Sequence, residues 1–221
     1  MDVSNLIEVI AIYAIPVLFA ITLHEAAHGY VARHFGDMTA FAQGRISLNP
    51  LRHIDPIGTI AVPALILAAS RFLGSGGILF GWAKPVPVNY SALRSPKRDM
   101  LWVAAAGPFA NLSMALGWAV LLKLADWLPE NAYTSPLQLM GKAGIEVNVI
   151  LMLLNLLPIL PLDGGRIVVS LLPARMSWHY SKLEPWGFPI LLLLMFSGYL
   201  GVILAPMIRT SFNIIGTVFR F

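Results

Sequence analysis

The chain has 221 residues, of which 57% are hydrophobic and 12% charged, with a formal net charge of +4 and no cysteine. This is the composition of a membrane protein and excludes a soluble one. The missing cysteine excludes disulfides, thiolate catalysis and every Cys-based metal site. Lys and Arg are dispersed between apolar segments, so the positive balance reads as loop topology and not as a nucleic-acid surface. A hydrocarbon core of roughly 30 Å takes about 20 apolar residues per helical crossing. The expected fold is therefore an all-α polytopic membrane bundle of about 4–6 membrane segments, forming one integral membrane domain over residues 1–221.

Met1 to Asn5 carries Asp2 and no Lys or Arg, unlike a cleaved signal peptide, so the first hydrophobic segment is expected to stay in the mature chain. A first span is expected at about residues 5–33. It is apolar from Leu6 to Ile21 apart from Glu8, and its helical pattern continues to Val31 before Gly36 and Asp37 break it. Residues 38–100 are expected to form a small membrane-associated β-hairpin and re-entrant element. Phe41, Ile46 and Leu48 alternate with Gly44, Arg45, Ser47, Asn49 and Pro50, which suits a hairpin better than a helix. Ile57 to Leu73 is apolar but short and carries Pro63. Basic residues flank it on both sides, Arg45 and Arg52 before and Lys84, Arg94, Lys97 and Arg98 after. The positive-inside rule places both flanks in the cytoplasm, which a re-entrant path over 57–80 satisfies.

Spans are expected at about 101–125 and 137–157, joined by an outer loop with Asp126 and Glu130. The run from Asn155 to Gly165 holds Pro158, Pro161, Gly164 and Gly165, which forbid regular helix there. A short amphipathic stretch follows among Arg166, Arg175, His179 and Lys182. A last span is expected at 186–206, with an interfacial helix at 207–221. Trp82, Trp102, Trp127, Trp178 and Trp186 lie near span ends, as interface anchors do.

His24-Glu25-Ala26-Ala27-His28 has the H-E-x-x-H form, in which two imidazoles one helical turn apart share a face and can grip one ion. Zinc suits two imidazoles and a carboxylate, with a fourth position for water. Three ionisable groups within five residues of an apolar helix are a liability unless partnered. The candidates for a third ligand are Asp37, His53, Asp55, Asp99, Glu146 and Asp163. Asp163 fits best, because it follows a span where prolines and glycines break the helix, so its side chain can turn into a polar cavity at membrane depth. The bland alternative is an aspartate capping the helix that begins near Gly164. His34, His53 and His179 read as solvated loop residues.

Three motifs together carry a resemblance: His24-Glu25-x-x-His28, Gly107-Pro108-x-x-Asn111 and Asn155-x-x-Pro158-x-x-Pro161-Leu162-Asp163-Gly164. They look like the site-2 protease family of intramembrane zinc metalloproteases. The segment Gly81 to Asn89 resembles the compact branch without a PDZ domain. The resemblance implies that His24, His28 and Asp163 bind one zinc ion per chain, that Asn155 helps place the substrate strand, and that Asn111 lines the active cavity. As an alternative, Asn111 makes an interhelical hydrogen bond.

The reaction expected is peptide hydrolysis by zinc-activated water, with Glu25 as general base and Asn111 or Asn155 as oxyanion donors. The expected partners are membrane protein or peptide substrates and the lipid bilayer, with no nucleic acid. Substrate is expected to be captured in extended form by a strand edge at Gly44 to Leu48 or Val86 to Val88. The location expected is the cell membrane, with the site nearer the cytoplasmic face. Two other classes use the same buried His/Asp site: an ion transporter, which needs no glutamate between its ligands, and a catalytically silent scaffold or chaperone.

Overall fold

The computed structural model describes residues 3–61, 83–131 and 133–220. Within them the chain forms eight α-helices: α1 (Val3–His34), α2 (Thr39–Ala42), α3 (Pro96–Asp126), α4 (Thr134–Asn155), α5 (Asp163–Leu171), α6 (Ala174–Ser181), α7 (Glu184–Phe196) and α8 (Tyr199–Phe219). Among the described residues, four stretches are long and apolar enough to cross a membrane: Ile7–His34, Pro96–Asp126, Thr134–Asn155 and Tyr199–Phe219. Large apolar side chains are exposed on these helices and their ends, such as Phe109 and Trp127, and on the shorter apolar helix α7, such as Leu193 and Phe196. In water such a surface would drive association, whereas in lipid it is solvated.

Helices α1, α3 and α4 pack side by side, and α3 contacts both of the others. His28 meets Val103 and His24 meets Asn111, so α1 and α3 run antiparallel. The same reasoning applies to α3 and α4, where Asn111 meets Asn148 and Leu122 lies against Gly141. Gly144 lets α4 approach so closely that a methyl there would overlap the Trp118 ring. The largest buried cluster joins Ala115, Ala119 and Leu122 of α3 to Ile145, Val149 and Leu153 of α4 and to Leu204 and Ile215 of α8.

Two expectations need correction. The anticipated β-hairpin is absent among the described residues: 38–61 holds the short helix α2 and two single-turn helices, and 83–89 is irregular. Pro85 and Pro87 have no amide hydrogen to give a ladder. The stretches are tied instead by Arg45, which donates Nη2 to the carbonyls of Lys84 (2.8 Å) and Pro85 (3.3 Å), and by Lys84 N–H to the His53 carbonyl (2.9 Å). The re-entrant path anticipated over 57–80 lies outside the described residues beyond Ala61. The C-terminal region also divides differently from 186–206 and 207–221. The helix breaks at Ser197–Gly198, where Gly198 adopts φ +78°, and α8 then runs unbroken to Phe219. Phe212 and Phe219 pack against the α3–α4 core, so this tail belongs to the bundle.

Candidate metal centre

His24 and His28 lie in the last third of α1, one turn apart, and both are buried. Each ring is held from behind. His24 Nδ1 is 2.6 Å from Oδ1 of Asn111, and His28 Nδ1 is 2.7 Å from the Val103 carbonyl oxygen. Asn111 Nδ2 donates to the Ala20 carbonyl (3.2 Å) and to Oδ1 of Asn148 (2.9 Å), which fixes its amide with the oxygen toward His24. Both acceptors behind the rings are oxygens, so each imidazole carries its proton on Nδ1 and presents a bare Nε2 lone pair in front.

Those two lone pairs face each other at 3.1 Å, and each nitrogen lies 3.3 Å from Oδ2 of Asp163. Three acceptors in van der Waals contact repel unless a cation sits among them. Asp163 Oδ2 is buried without a hydrogen-bond donor. Ligands about 2.0–2.1 Å from a tetrahedral zinc lie about 3.3 Å from one another. The observed triangle has that edge, and no other group of His, Asp or Glu among the described residues converges in this way.

The local fold explains how Asp163 arrives there. It opens α5, and Gly164 and Gly165 follow it. A methyl on Gly164 would overlap the carbonyls of Leu156 and Leu157, and one on Gly165 would lie 2.5 Å from the Leu160 nitrogen. The two glycines therefore let α5 seat directly on the turn that leaves α4. The Leu160–Pro161 peptide bond within this turn is cis.

Every other candidate for third ligand has a different task. Asp37 accepts the backbone N–H groups of Thr39 (2.9 Å) and Asn89 (2.6 Å), tying the end of α1 to the 83–90 segment. Asp99 accepts from the Ser95 amide at the start of α3 (2.6 Å). Asp55 accepts from Ile57 and Gly58, and Glu146 accepts from the Tyr13 hydroxyl (2.9 Å). His53 is buried at 2% exposure, contrary to the solvated reading, and its Nε2 lies 2.8 Å from the Ser47 carbonyl oxygen. His34 and His179 are exposed.

Glu25 follows His24 on α1, and its Oε2 accepts the backbone N–H of Val86 at 2.7 Å. Asn111 is fully buried and meets His24 at Nδ1, not at the Nε2 that lies beside Asp163. Asn155 ends α4 and donates Nδ2 to its own helix at the Leu151 carbonyl (3.0 Å). The sequence reading missed two participants, Asn148, which holds Asn111, and the Val86 amide; Gly107 stood in a quoted motif, but not for its task of making room for the two rings. Asn148 had a signal, an amide in the middle of an apolar span.

Residues 128–197 match peptidase family M50. The chain is 38% identical over 200 residues to "Putative zinc metalloprotease YwhC" of Bacillus subtilis, covering 89% of this chain and 85% of that one. The chain belongs to peptidase family M50. It is also 32% identical over 182 residues to "Putative zinc metalloprotease Rip2" of Mycolicibacterium smegmatis, covering 80% of this chain and 64% of that one. The protein of the same name in Mycobacterium tuberculosis is 32% identical over 151 residues, 66% of this chain and 52% of that one. No solved structure matches the chain. Family and spans together make this M50 chain a multi-pass membrane zinc metallopeptidase, and the His24/His28/Asp163 group suits one zinc ion.

Proposed function

We propose that the chain is an intramembrane endopeptidase that hydrolyses peptide bonds of transmembrane or membrane-associated substrates, as in regulated intramembrane proteolysis. The observation that carries this reading is the triangle of two Nε2 lone pairs and one carboxylate oxygen at 3.1–3.3 Å, with Glu25 next in sequence to one of its ligands. His24, His28 and Asp163 would hold the metal. Bound zinc supplies Lewis acidity, polarising a carbonyl and acidifying water.

Glu25 is the general base. Its Oε2 is occupied by the Val86 amide, which leaves Oε1 to take a proton from water and pass it to the leaving amine. Asn111 acts through His24, setting its tautomer and ring plane, and not as an oxyanion donor. Asn155 keeps its Oδ1 for a substrate amide, the role the family resemblance implies for it.

A helical substrate hides its carbonyls in backbone hydrogen bonds and must be extended to react. The segments 44–48 and 83–88 flank Glu25. Side chains of Ile46 and Val86 both press on Gly29, one turn beyond it. An unwound substrate passing beside these segments would present its backbone to the centre without a β-ladder, because Pro85 and Pro87 carry no N–H and the Val86 N–H is held by Glu25. Arg33, Arg94, Lys97 and Arg98 cluster at the metal end of α1 and α3, with Asp126 and Glu130 at the other end. This charge pattern supports a site nearer the cytoplasmic face.

The test is cleavage of a panel of single-span substrates by purified protein, wild type beside Glu25→Gln, with zinc measured on both. About one zinc on each and chelator-sensitive cleavage by wild type alone supports the proposal. Zinc on both with cleavage by neither refutes it, and zinc flux in liposomes then separates a transporter from a silent scaffold.

A further inference from the structure

Beside the proposed substrate path lies a cavity of about 330 Å³ that the reaction above does not use. Its walls include Gln43, Arg45, Arg52, Ile54 and Lys84, which brings three cationic side chains together. Among the described residues no carboxylate pairs with any of the three. Arg45 donates to the carbonyls of Arg52 (2.6 Å), Lys84 and Pro85, and Arg52 donates Nη1 to the Gly44 carbonyl (2.5 Å). Neutral carbonyls fix the guanidinium groups in place without cancelling their charge. The result is a positioned, unneutralised positive wall with room for a side chain and its flanking backbone.

Its place is as informative as its charge. Arg45 precedes Ile46, and Lys84 lies two residues before Val86, so both walls continue the segments that flank Glu25. Two residues of extended chain span about 7 Å. A peptide lying along 83–88 with its reacting carbonyl at the metal would carry a nearby side chain past this cavity.

We propose that the cavity is a subsite for an acidic residue of the substrate, giving the enzyme a preference for Asp or Glu within a few residues of the cleaved bond. This inference rests on the endopeptidase reading above. A carboxylate suits the site because the planar fork of arginine matches its two oxygens, and Lys84 adds a mobile point charge. Continuity with the Glu25 segment favours a peptide over a lipid headgroup.

The experiment uses the whole 221-residue chain, zinc-loaded, in neutral vesicles and again in vesicles of graded anionic lipid content. The substrates are single-span peptides that differ at one position, scanned as Glu, Gln or Lys through the residues around the cleaved bond. Wild type is expected to favour Glu over Lys by ~10-fold in kcat/KM at one or two positions, mainly through KM. Lys84→Glu and Arg52→Glu are expected to invert that ratio. A folding defect lowers both substrates alike and leaves the ratio unchanged, so inversion is the supporting result. A wild-type ratio near one at every position, with cleavage intact, overturns the subsite and leaves the endopeptidase reading standing. A dependence on anionic lipid content with no dependence on substrate charge also overturns it, in favour of a headgroup site. Absence of cleavage of every peptide fails both readings together.

Discussion

Gly107 lies directly against His28: a methyl group built on it would overlap the imidazole at Nε2 and sit 2.5 Å from Cε1 of His24. The neighbouring Pro108 has no amide hydrogen for the helical ladder at this turn. Gly107→Ala would therefore push both rings off the centre. We expect the variant to keep its helical circular dichroism while zinc affinity falls at least ~100-fold, since forced overpacking costs a few kcal/mol and 1.4 kcal/mol is tenfold. Metal analysis after dialysis against a zinc buffer checks this, and full occupancy would refute it.

Asn111 and Asn148 form a relay of amides that ends at His24 Nδ1. Asn111→Ala leaves that nitrogen without an acceptor, and a loss of ~10- to 100-fold in metal affinity is expected. Asn111→Asp keeps an acceptor and should recover part of it. Asn148→Ala should show a smaller loss, because it acts one step further back. A zinc-competition titration with a chromophoric chelator ranks the three; equal affinities would show that the relay is idle.

The Val86 amide on Glu25 is testable by removing a single hydrogen. Val86→Pro deletes the N–H donor within a stretch that already holds Pro85 and Pro87. A hydrogen bond to a charged group is worth about 1.5–3 kcal/mol, so kcat is expected to fall ~10- to 100-fold. Zinc content should stay at the wild-type level. An unchanged kcat would show that Glu25 needs no such restraint.

Asp37 links the end of α1 to the 83–90 segment. Burial raises its carboxyl, but the hydrogen bonds from Thr39 and Asn89 outweigh this and hold it below the usual carboxylate range. A depressed value means the stabilisation is fully present above the unfolded value of about 3.9 and is lost as pH falls through the folded one. Asp37→Asn should therefore be less stable by about 1–3 kcal/mol at neutral pH. The gap should close below about pH 4. Thermal melts of the detergent-solubilised pair across pH give the answer, and a gap that widens in acid would refute the assignment.

The convergence of the three proposed metal ligands was legible because their chemistry is written into side-chain type and spacing, as in His24-x-x-x-His28 and the Leu162-Asp163-Gly164 turn after a span. What escaped notice is of another kind. The Val86 donor is main chain and has no sequence signature. Gly107 stood in a recognised motif, but its reason, clearance for two rings, needs the packing of α1 on α3. The hairpin was misjudged because apolar alternation around Ile46 suits any chain with one buried side, and Arg45 takes over the cross-segment bonding. The helix break at Gly198 was hidden because the stretch on either side is almost uniformly apolar, which gives periodicity nothing to resolve. His53 sits among charged neighbours in sequence, yet the fold closes over it.

The donors of the metal triangle come from α1 and from the turn after α4, and Asn111 and Val103 reach the same histidines from α3. One ion held there would clasp parts of the chain that lie 135 residues apart, from His28 to Asp163. An ion held by the folded arrangement and not by the unfolded chain adds its binding energy to the fold. A cell that starves this membrane of zinc would then meet a loosened bundle as well as a silent one, and its quality-control machinery could clear the enzyme instead of storing it.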